Sequence, residues 1–552
     1  MRALRTAALA TALTATSLGA QGAEDAARRT PDIPAQSCLS AGAAPGDAEP
    51  MEAQPVLVEG LGHAGLDADS EDPEARAWFA QGVRLIWAFD EAEAVRAFAE
   101  AQRRDGDCAL CFLGEAWARS PTINLRGRVE ELPAARAAAR RALALSDGLS
   151  ERDRLLVQAM AIRTGDGEAF GQTAYARFLE SAADRLPDDS TLAILAADAQ
   201  MQVNEEMEPG SPSQRRLESV LAREPDHGGA IHFYIHLTDW MDRQHLAVPH
   251  AERLGRIAPA ASHLVHMPSH SFYDVGRYED AAAVNVAAIA ADRTFARVAR
   301  PTRSTYRWNL LAHNMHFAMN SALARGDGAT ALDVARQFRA EYLSGEPDPW
   351  IRLMGSSVHY SAGLHGEPAE ALAAPEPEDA VDKVFHHYAR GEALARQGDG
   401  AAVAAEARAI RRVRTGVRAP SLGAEGDALA EIVQRVLEGR SAMLAGDHRR
   451  AASAYRRAMQ RQRAADFGND PPLFWYSVRR SLAAALLAGG DAAGARRQLA
   501  ASLRLWPNDP LALYALSLAE RRAGNAASAD LNLARAQAVW EGDVTEVPLS
   551  RI

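Results

Sequence analysis

Apolar residues recur at intervals of three and four along most of this chain, and short polar turns interrupt them. In the stretch EARAWFAQGVRLIWAFDEAEAVRAFAEAQRRD, which starts at Glu74, Trp78 and Leu85 lead into a second apolar run at Ala94 and Phe98. This spacing predicts pairs of amphipathic helices joined by short turns. The alternating pattern with hairpin turns that is typical of β-strands is not found.

The C-terminal part of the chain repeats this arrangement at a fixed interval. Gly490 and Gly524 each follow an apolar helical run and lie 34 residues apart. Pro507 and Pro510 mark the junction between the runs, since proline can begin a helix but cannot continue one. The interval equals the repeat length of the tetratricopeptide (TPR) helix pair. We therefore predict an all-α fold, a TPR-type solenoid of helical hairpins.

The first residues have the features of an export signal. MRALR supplies positive charge, and the alanine-rich apolar run after it is too short to span a bilayer. No later stretch is apolar enough for a membrane span, so we expect a protein of the bacterial periplasm or one secreted from the cell. The expected organisation is a signal peptide at 1–23, a flexible linker or arm at 24–72, an N-terminal TPR array at 73–340, an irregular connector at 341–380 and a C-terminal TPR array at 381–552.

Composition and charge narrow the function classes. Hydrophobic residues make up 47% of the chain and charged residues 24%, as in folded proteins. The formal net charge is −11, whereas nucleic-acid binding needs a clustered basic face. We therefore do not expect a nucleic-acid partner.

Histidines are concentrated in one part of the chain, since ten of the sixteen lie between His227 and His316. The pair in HFYIH recurs in HMPSH, each histidine displaced by 34 residues. Equivalent positions of successive repeats face the same side of a solenoid. The repeat therefore predicts that these imidazoles stack together, as they would around a transition metal.

Helix geometry brings further histidines to the same surface. Residues three or four apart share a helix face, which aligns the histidines of HFYIH, HLVHMPSH and HNMH within each motif. Pro268 allows either a helix that starts near it, with His270 one turn inside, or a kinked helix. Three first helices would then present seven imidazoles to the concave groove: His232, His236, His263, His266, His270, His313 and His316.

Seven ligands exceed what one tetrahedral ion uses, so two ions with about three histidines each is the more economical count. The near absence of carboxylates in the motifs disfavours a di-iron carboxylate site, and copper is favoured over zinc by the exported location and the affinity order. Nearby side chains are predicted to orient the ligands or line the cavity: Asp239, Asp274, Tyr234, Tyr273 and Tyr306.

The chain has three cysteines. Cys108 and Cys111 are close enough in sequence for a local disulfide in an oxidising compartment, which would leave Cys38 odd.

Four strings together resemble a broad group of exported bacterial TPR proteins: GDCALCFLGEAWARSPTIN, DHGGAIHFYIH, SHLVHMPSHSFYDVGRYEDA and HNMHF. The resemblance covers roughly residues 75 to 320. The family often has glycine where this chain has Ser262. The resemblance implies the TPR fold and a shared feature made of Asn124, Cys108, Cys111 and the seven histidines above, and it implies no particular substrate.

Three functions are compatible with these patterns. A dinuclear copper oxidoreductase acting on a small molecule or on dioxygen is the first. A zinc hydrolase is the second, with Glu205 and Glu206 as candidate bases. The third is a non-catalytic scaffold, in which a structural zinc or other metal locks the solenoid and the groove holds a peptide.

Overall fold

The computed structural model describes residues 54–552, apart from residues 127, 205–206, 302–304, 346, 418 and 466–469, and apart from the side chains of 305–308 and 420. The expected signal peptide, Cys38, Glu205, Glu206 and the side chain of Tyr306 lie outside the described residues. The described part of the chain consists of helices and their connections and contains no β-strand. The prediction of an all-α helical solenoid is confirmed.

The α-helices of the first part are α1 Pro73–Trp87, α2 Glu91–Arg104, α3 Ala109–Ala118, α4 Leu132–Ala144, α5 Glu151–Thr164, α6 Gln172–Arg185, α7 Ser190–Val203, α8 Pro212–Arg223, α9 Gly228–Trp240, α10 Val248–Ile257, α11 Ser262–His266, α12 Pro268–Asp274, α13 Tyr278–Ala299, α14 Thr305–Arg325 and α15 Gly328–Tyr342. Those of the second part are α16 Pro349–Met354, α17 Ser356–His365, α18 Pro368–Ala373, α19 Ala380–Arg396, α20 Gly400–Thr415, α21 Gly423–Leu444, α22 His448–Ala465, α23 Val478–Ala488, α24 Ala492–Leu505, α25 Pro510–Arg522 and α26 Ala526–Val539.

The segment 341–380, which the sequence analysis treats as an irregular connector, contains the three short helices α16, α17 and α18. None of the described helices is long and apolar enough to cross a bilayer.

Local sequence signals explain where the helices begin and end. Asp72 caps α1, because its carboxylate accepts hydrogen bonds from the backbone N–H groups of Glu74 and Ala75 at 2.7 and 3.2 Å. The glycine turns of the C-terminal repeats have a left-handed backbone, with φ of 91° at Gly490 and 83° at Gly524. Glycine adopts this conformation without steric cost, so each hairpin turns sharply into its second helix.

Helices that follow one another along the chain pack side by side, as in a stack of hairpins. Their apolar faces form three hydrophobic clusters, which run from Leu61 to Ala324, from Ile289 to Ala485 and from Ala483 to Ile552. Helix α14 belongs to two of them, since Phe317 lies in the first cluster and Met315 in the second. This helix carries a histidine motif, so the motif lies where the two clusters meet.

Residues 54–72 form an arm that lies on the fold. Gln81 of α1 bonds to it twice, accepting from the Val58 N–H and donating to the Val56 carbonyl. The indole N–H of Trp87 donates to the carbonyl of Ala64 at 2.8 Å. These bonds fix the arm against α1.

Candidate metal centre

Four helices bring the histidine motifs together. Helix α9 carries His232 and His236 one turn apart, and it is capped by His227, whose Nδ1 accepts from the Ala230 N–H. Helices α11 and α12 form a single helical path broken at Met267, directly before Pro268. The sequence left open a helix starting near the proline or a kinked helix. In the structure α12 starts at Pro268, and Met267 before it keeps right-handed helical backbone angles, so α11 leads directly into α12.

The first group of candidate ligands consists of His232, His236 and His263, and we call it the first triad. Their ligand nitrogens all lie within 4.8 Å of one another. The Nε2 atom of His232 is 3.1 Å from Nε2 of His236 and 3.0 Å from Nε2 of His263. Three ring nitrogens from two helices therefore converge on one point.

The second group, which we call the second triad, consists of His266, His270 and His313, also within 4.8 Å. Nε2 of His266 lies 3.0 Å from Nε2 of His270, and the ring of His313 lies 4.8 Å from that of His266. Each triad thus combines a histidine pair spaced four apart with one histidine from a later helix.

These distances fit a metal ion. A tetrahedral ion with metal–nitrogen bonds of about 2.0–2.1 Å holds its ligand nitrogens about 3.3–3.4 Å apart. The short nitrogen–nitrogen distances in both triads, 3.0–3.1 Å, are close to that value. The described residues of the two triads can therefore hold metal ions.

Two acceptors set the orientation of the imidazoles. The backbone carbonyl of Trp87 lies 2.7 Å from Nδ1 of His232, and Oδ1 of Asn285 lies 2.6 Å from Nδ1 of His266. Because these oxygens only accept hydrogen bonds, each Nδ1 carries the proton and each Nε2 keeps its lone pair for a metal. Ser269 adds a contact of 3.4 Å to the same Nδ1 of His266.

All six imidazoles are buried, with exposed fractions of 0–5%. The sequence analysis placed them along an open concave groove, whereas the structure encloses them. Burial lowers the pKa of His232 to about 3 and that of His266 to about 4, because a desolvated imidazolium is unfavourable. Burial also lowers the pKa of the other four rings well below 6.5. The rings are therefore neutral, as metal binding requires.

The two triads touch each other. The ring centroids of His263 and His266 are 5.8 Å apart, and those of His236 and His270 are 6.2 Å apart. Two bound ions would consequently be neighbours in one enclosed centre.

A phenylalanine covers each triad. The ring of Phe89 lies 4.3, 6.0 and 5.5 Å from the three rings of the first triad. The ring of Phe317 lies 5.3, 5.1 and 5.5 Å from those of the second. These apolar rings pack against the imidazoles and leave little room for a large ligand.

Asp470 is a site residue that the sequence analysis missed. Its Oδ1 lies 3.1 Å from Nδ1 of His270 and 3.5 Å from Nε2 of His313. It lies in the segment between α22 and α23, far along the chain from the histidine motifs. Asn285 was also missed, because a lone asparagine in a helix carries no spacing signal.

The other predicted site residues lie outside the triads. His316 is buried and contacts Nδ2 of Asn320 at 3.2 Å. The hydroxyl of Tyr234 donates to Glu218, and Asp239 accepts from Gln244. Tyr273 packs at 5.7 Å against Phe317, behind the second triad.

Four further predicted residues belong to neither triad. Asp274 is the half-buried last residue of α12. Asn124 lies in the irregular segment after α3 and is 2% exposed. Cys108 and Cys111 form a disulfide at the start of α3.

No protein-family model matches the chain, and no curated protein does. Similar solved structures include the human IFIT1 dimer with PPP-AAAA, at 14% identity and a TM-score of 0.30, covering 82% of this chain and 94% of that chain. The APC/C hetero-tetramer Cut9–Hcn1 matches at 12% identity and a TM-score of 0.30, covering 84% and 87%. The TPR domain of P58(IPK) matches at 12% identity and a TM-score of 0.20, covering 65% and 96%. At such scores none of them bears on the chemistry of this site.

Proposed function

We propose that this protein is a dinuclear copper oxidoreductase that oxidises a small molecule with dioxygen. The observation that carries the proposal is the pair of adjacent histidine triads, each with ring nitrogens 3.0–3.1 Å apart. Three imidazoles in each group would leave a bound ion an open coordination position, as three protein ligands do in catalytic metal sites.

The charge of the site favours copper over zinc. Six neutral imidazoles cancel none of the charge of the ions, and Asp470 is a carboxylate that contacts rings of the second triad. Two zinc ions would bring about four positive charges in every state, whereas two copper ions would bring about four only when oxidised and about two when reduced, and uncompensated buried charge is costly. Imidazole is a good copper ligand.

Bound copper would supply electron transfer by cycling between Cu(I) and Cu(II). Each substrate molecule gives up two electrons and two protons, and two such oxidations reduce one dioxygen to two waters. The protein's own residues hold the ligands in place through Trp87 and Asn285 and exclude water through Phe89 and Phe317. Because the imidazoles are buried, a small reductant suits the site better than a peptide.

We also propose that the protein works in the periplasm or outside the cell. The Cys108–Cys111 disulfide supports an oxidising compartment, and the basic, then alanine-rich first residues fit an export signal.

The test is metal analysis of the full chain after reconstitution with copper or with zinc, together with electron paramagnetic resonance and oxygen uptake. We expect two coppers per chain in the wild type. The double variants His232→Ala/His236→Ala and His266→Ala/His270→Ala should each retain about one. His316→Ala is the matched control, since it removes a buried imidazole outside both triads and should leave two.

Other outcomes would contradict the proposal. One zinc per chain with closed coordination and no oxygen uptake would support a structural metal in a scaffold. No stoichiometric metal after reconstitution would assign the histidines to packing alone.

A further inference from the structure

A small cavity reaches the first triad beneath the N-terminal arm. Its volume is about 30 Å³, and His263 is the triad residue in its wall. The wall also includes Leu61 of the arm, Asp90 of the first hairpin, Asp292 and Phe295 of α13, and Leu310 of α14.

The size and the lining of this cavity limit what it can hold. A cavity needs about 10–15 Å³ to hold one water molecule, so this one takes a molecule of two or three heavy atoms. Its wall is mainly aliphatic and aromatic, which favours a neutral, weakly hydrated molecule. The carboxylates of Asp90 and Asp292 in the wall disfavour anions.

The cavity lies beside the first triad and not beside the second. The cavity wall includes His263 and no histidine of the second triad, whereas the Asp470 carboxylate lies against His270 and His313. The cavity therefore gives a small neutral ligand a place on the side of the first triad.

We propose that a neutral diatomic molecule, dioxygen in the reaction, reaches the metal centre through this cavity and binds on the side of the first triad. This proposal rests on the copper oxidoreductase proposed above, and it specifies how dioxygen enters the centre and beside which triad it binds. It also divides the site, since the larger reductant would not fit the same space.

Carbon monoxide is the probe, because it is neutral, diatomic and binds Cu(I) with a characteristic infrared stretch. The full-length, copper-loaded protein is reduced, and the rate and stoichiometry of carbon monoxide binding are measured by stopped flow and infrared spectroscopy. We expect Leu61→Trp, which fills the cavity from the arm, to slow binding at least about tenfold. Leu61→Ala, which enlarges it, should speed binding.

Leu66 gives a matched control on the same arm. It is buried like Leu61 but lines a different small cavity, next to Leu113 and Trp117. Leu66→Trp and Leu66→Ala should leave the binding rate unchanged, and all four variants should retain two coppers. Azide, an anion of similar width, should bind the oxidised wild type weakly.

The outcomes separate the two proposals. Unchanged carbon monoxide binding in both Leu61 variants at full copper content would overturn the route and leave the copper centre standing. Equal effects of the Leu61 and Leu66 variants would also overturn it, because the arm rather than the cavity would then control binding. A wild type that binds no copper would overturn the copper centre and the route with it.

Discussion

The backbone carbonyl of Trp87 lies 2.7 Å from Nδ1 of His232, so the last turn of α1 orients a ligand that lies 145 residues further along the chain. Two residues later the chain places the ring of Phe89 on the same imidazole at 4.3 Å. The turn between α1 and α2 therefore both orients and covers the first triad. Its conformation thus shapes the candidate metal centre.

Phe89 itself lies in a left-handed backbone conformation, with φ of 54°, which is rare for a bulky residue. Phe89→Ala should destabilise the protein by about 3–5 kcal/mol through loss of buried ring contacts. Phe89→Gly should be about 1 kcal/mol more stable than Phe89→Ala, since glycine tolerates positive φ. Chemical denaturation measures both free energies of unfolding. An alanine variant as stable as the glycine variant would show that the backbone is not strained there.

The hydrogen bond from His266 to Asn285 sets up a second prediction. Asn285→Ala removes the acceptor at 2.6 Å, and loss of such a partner typically lowers metal affinity about 10–100-fold. Competition with a chelator measures this affinity, and Asn285→Asp, which keeps an acceptor oxygen, should restore most of it. Asn320→Ala is the matched control, because Asn320 contacts His316 outside the triads. Equal losses in Asn285→Ala and Asn320→Ala would point to general destabilisation.

Asp470 provides a test that distinguishes the two triads. Asp470→Asn removes the negative charge beside His270 and His313, so one ion should bind about 10–100-fold more weakly while the other is unaffected. In the variant His232→Ala/His236→Ala, which keeps only the second triad, the same substitution should weaken the single ion. In His266→Ala/His270→Ala it should have little effect. If Asp470→Asn weakened metal binding only in the variant that keeps the first triad, the placement of Asp470 beside the second triad would be contradicted.

The sequence predicted the helices well, and the histidine pairs that it singled out lie together in the structure, because both depend on regular spacing. His232 and His236, or His266 and His270, share a helix face whatever surrounds them. The 34-residue offset placed the two pairs in equivalent positions. Both inferences depend only on the spacing of residues along the sequence and need no knowledge of tertiary contacts.

The remaining features depend on contacts between distant segments. Trp87 contributes a backbone carbonyl, which no side-chain pattern can indicate. Asp470 comes from a segment far beyond the motifs. His316 is three residues from His313 and still lies outside the second triad, where it contacts Asn320. Burial of the whole centre likewise follows from packing rather than from spacing.

Glu91, which follows the Phe89 turn, gives a pH-dependent prediction. It is 3% exposed, and burial raises its pKa from 4.5 to about 8, with Arg128 opposing this only in part. The fold therefore binds a proton that the unfolded chain releases, so stability falls by about 1.4 kcal/mol per pH unit as the pH rises from 4.5 to 8 and then levels off. Glu91→Gln should match the wild type near pH 4.5 and exceed it by a few kcal/mol at pH 8, as measured by denaturation across this range. Glu93→Gln is the control, because Glu93 pairs with Arg96 at 2.8 Å and its replacement should bring no gain in stability at high pH. A wild type as stable as Glu91→Gln at pH 8 would show that the Glu91 carboxylate is ionised at no cost.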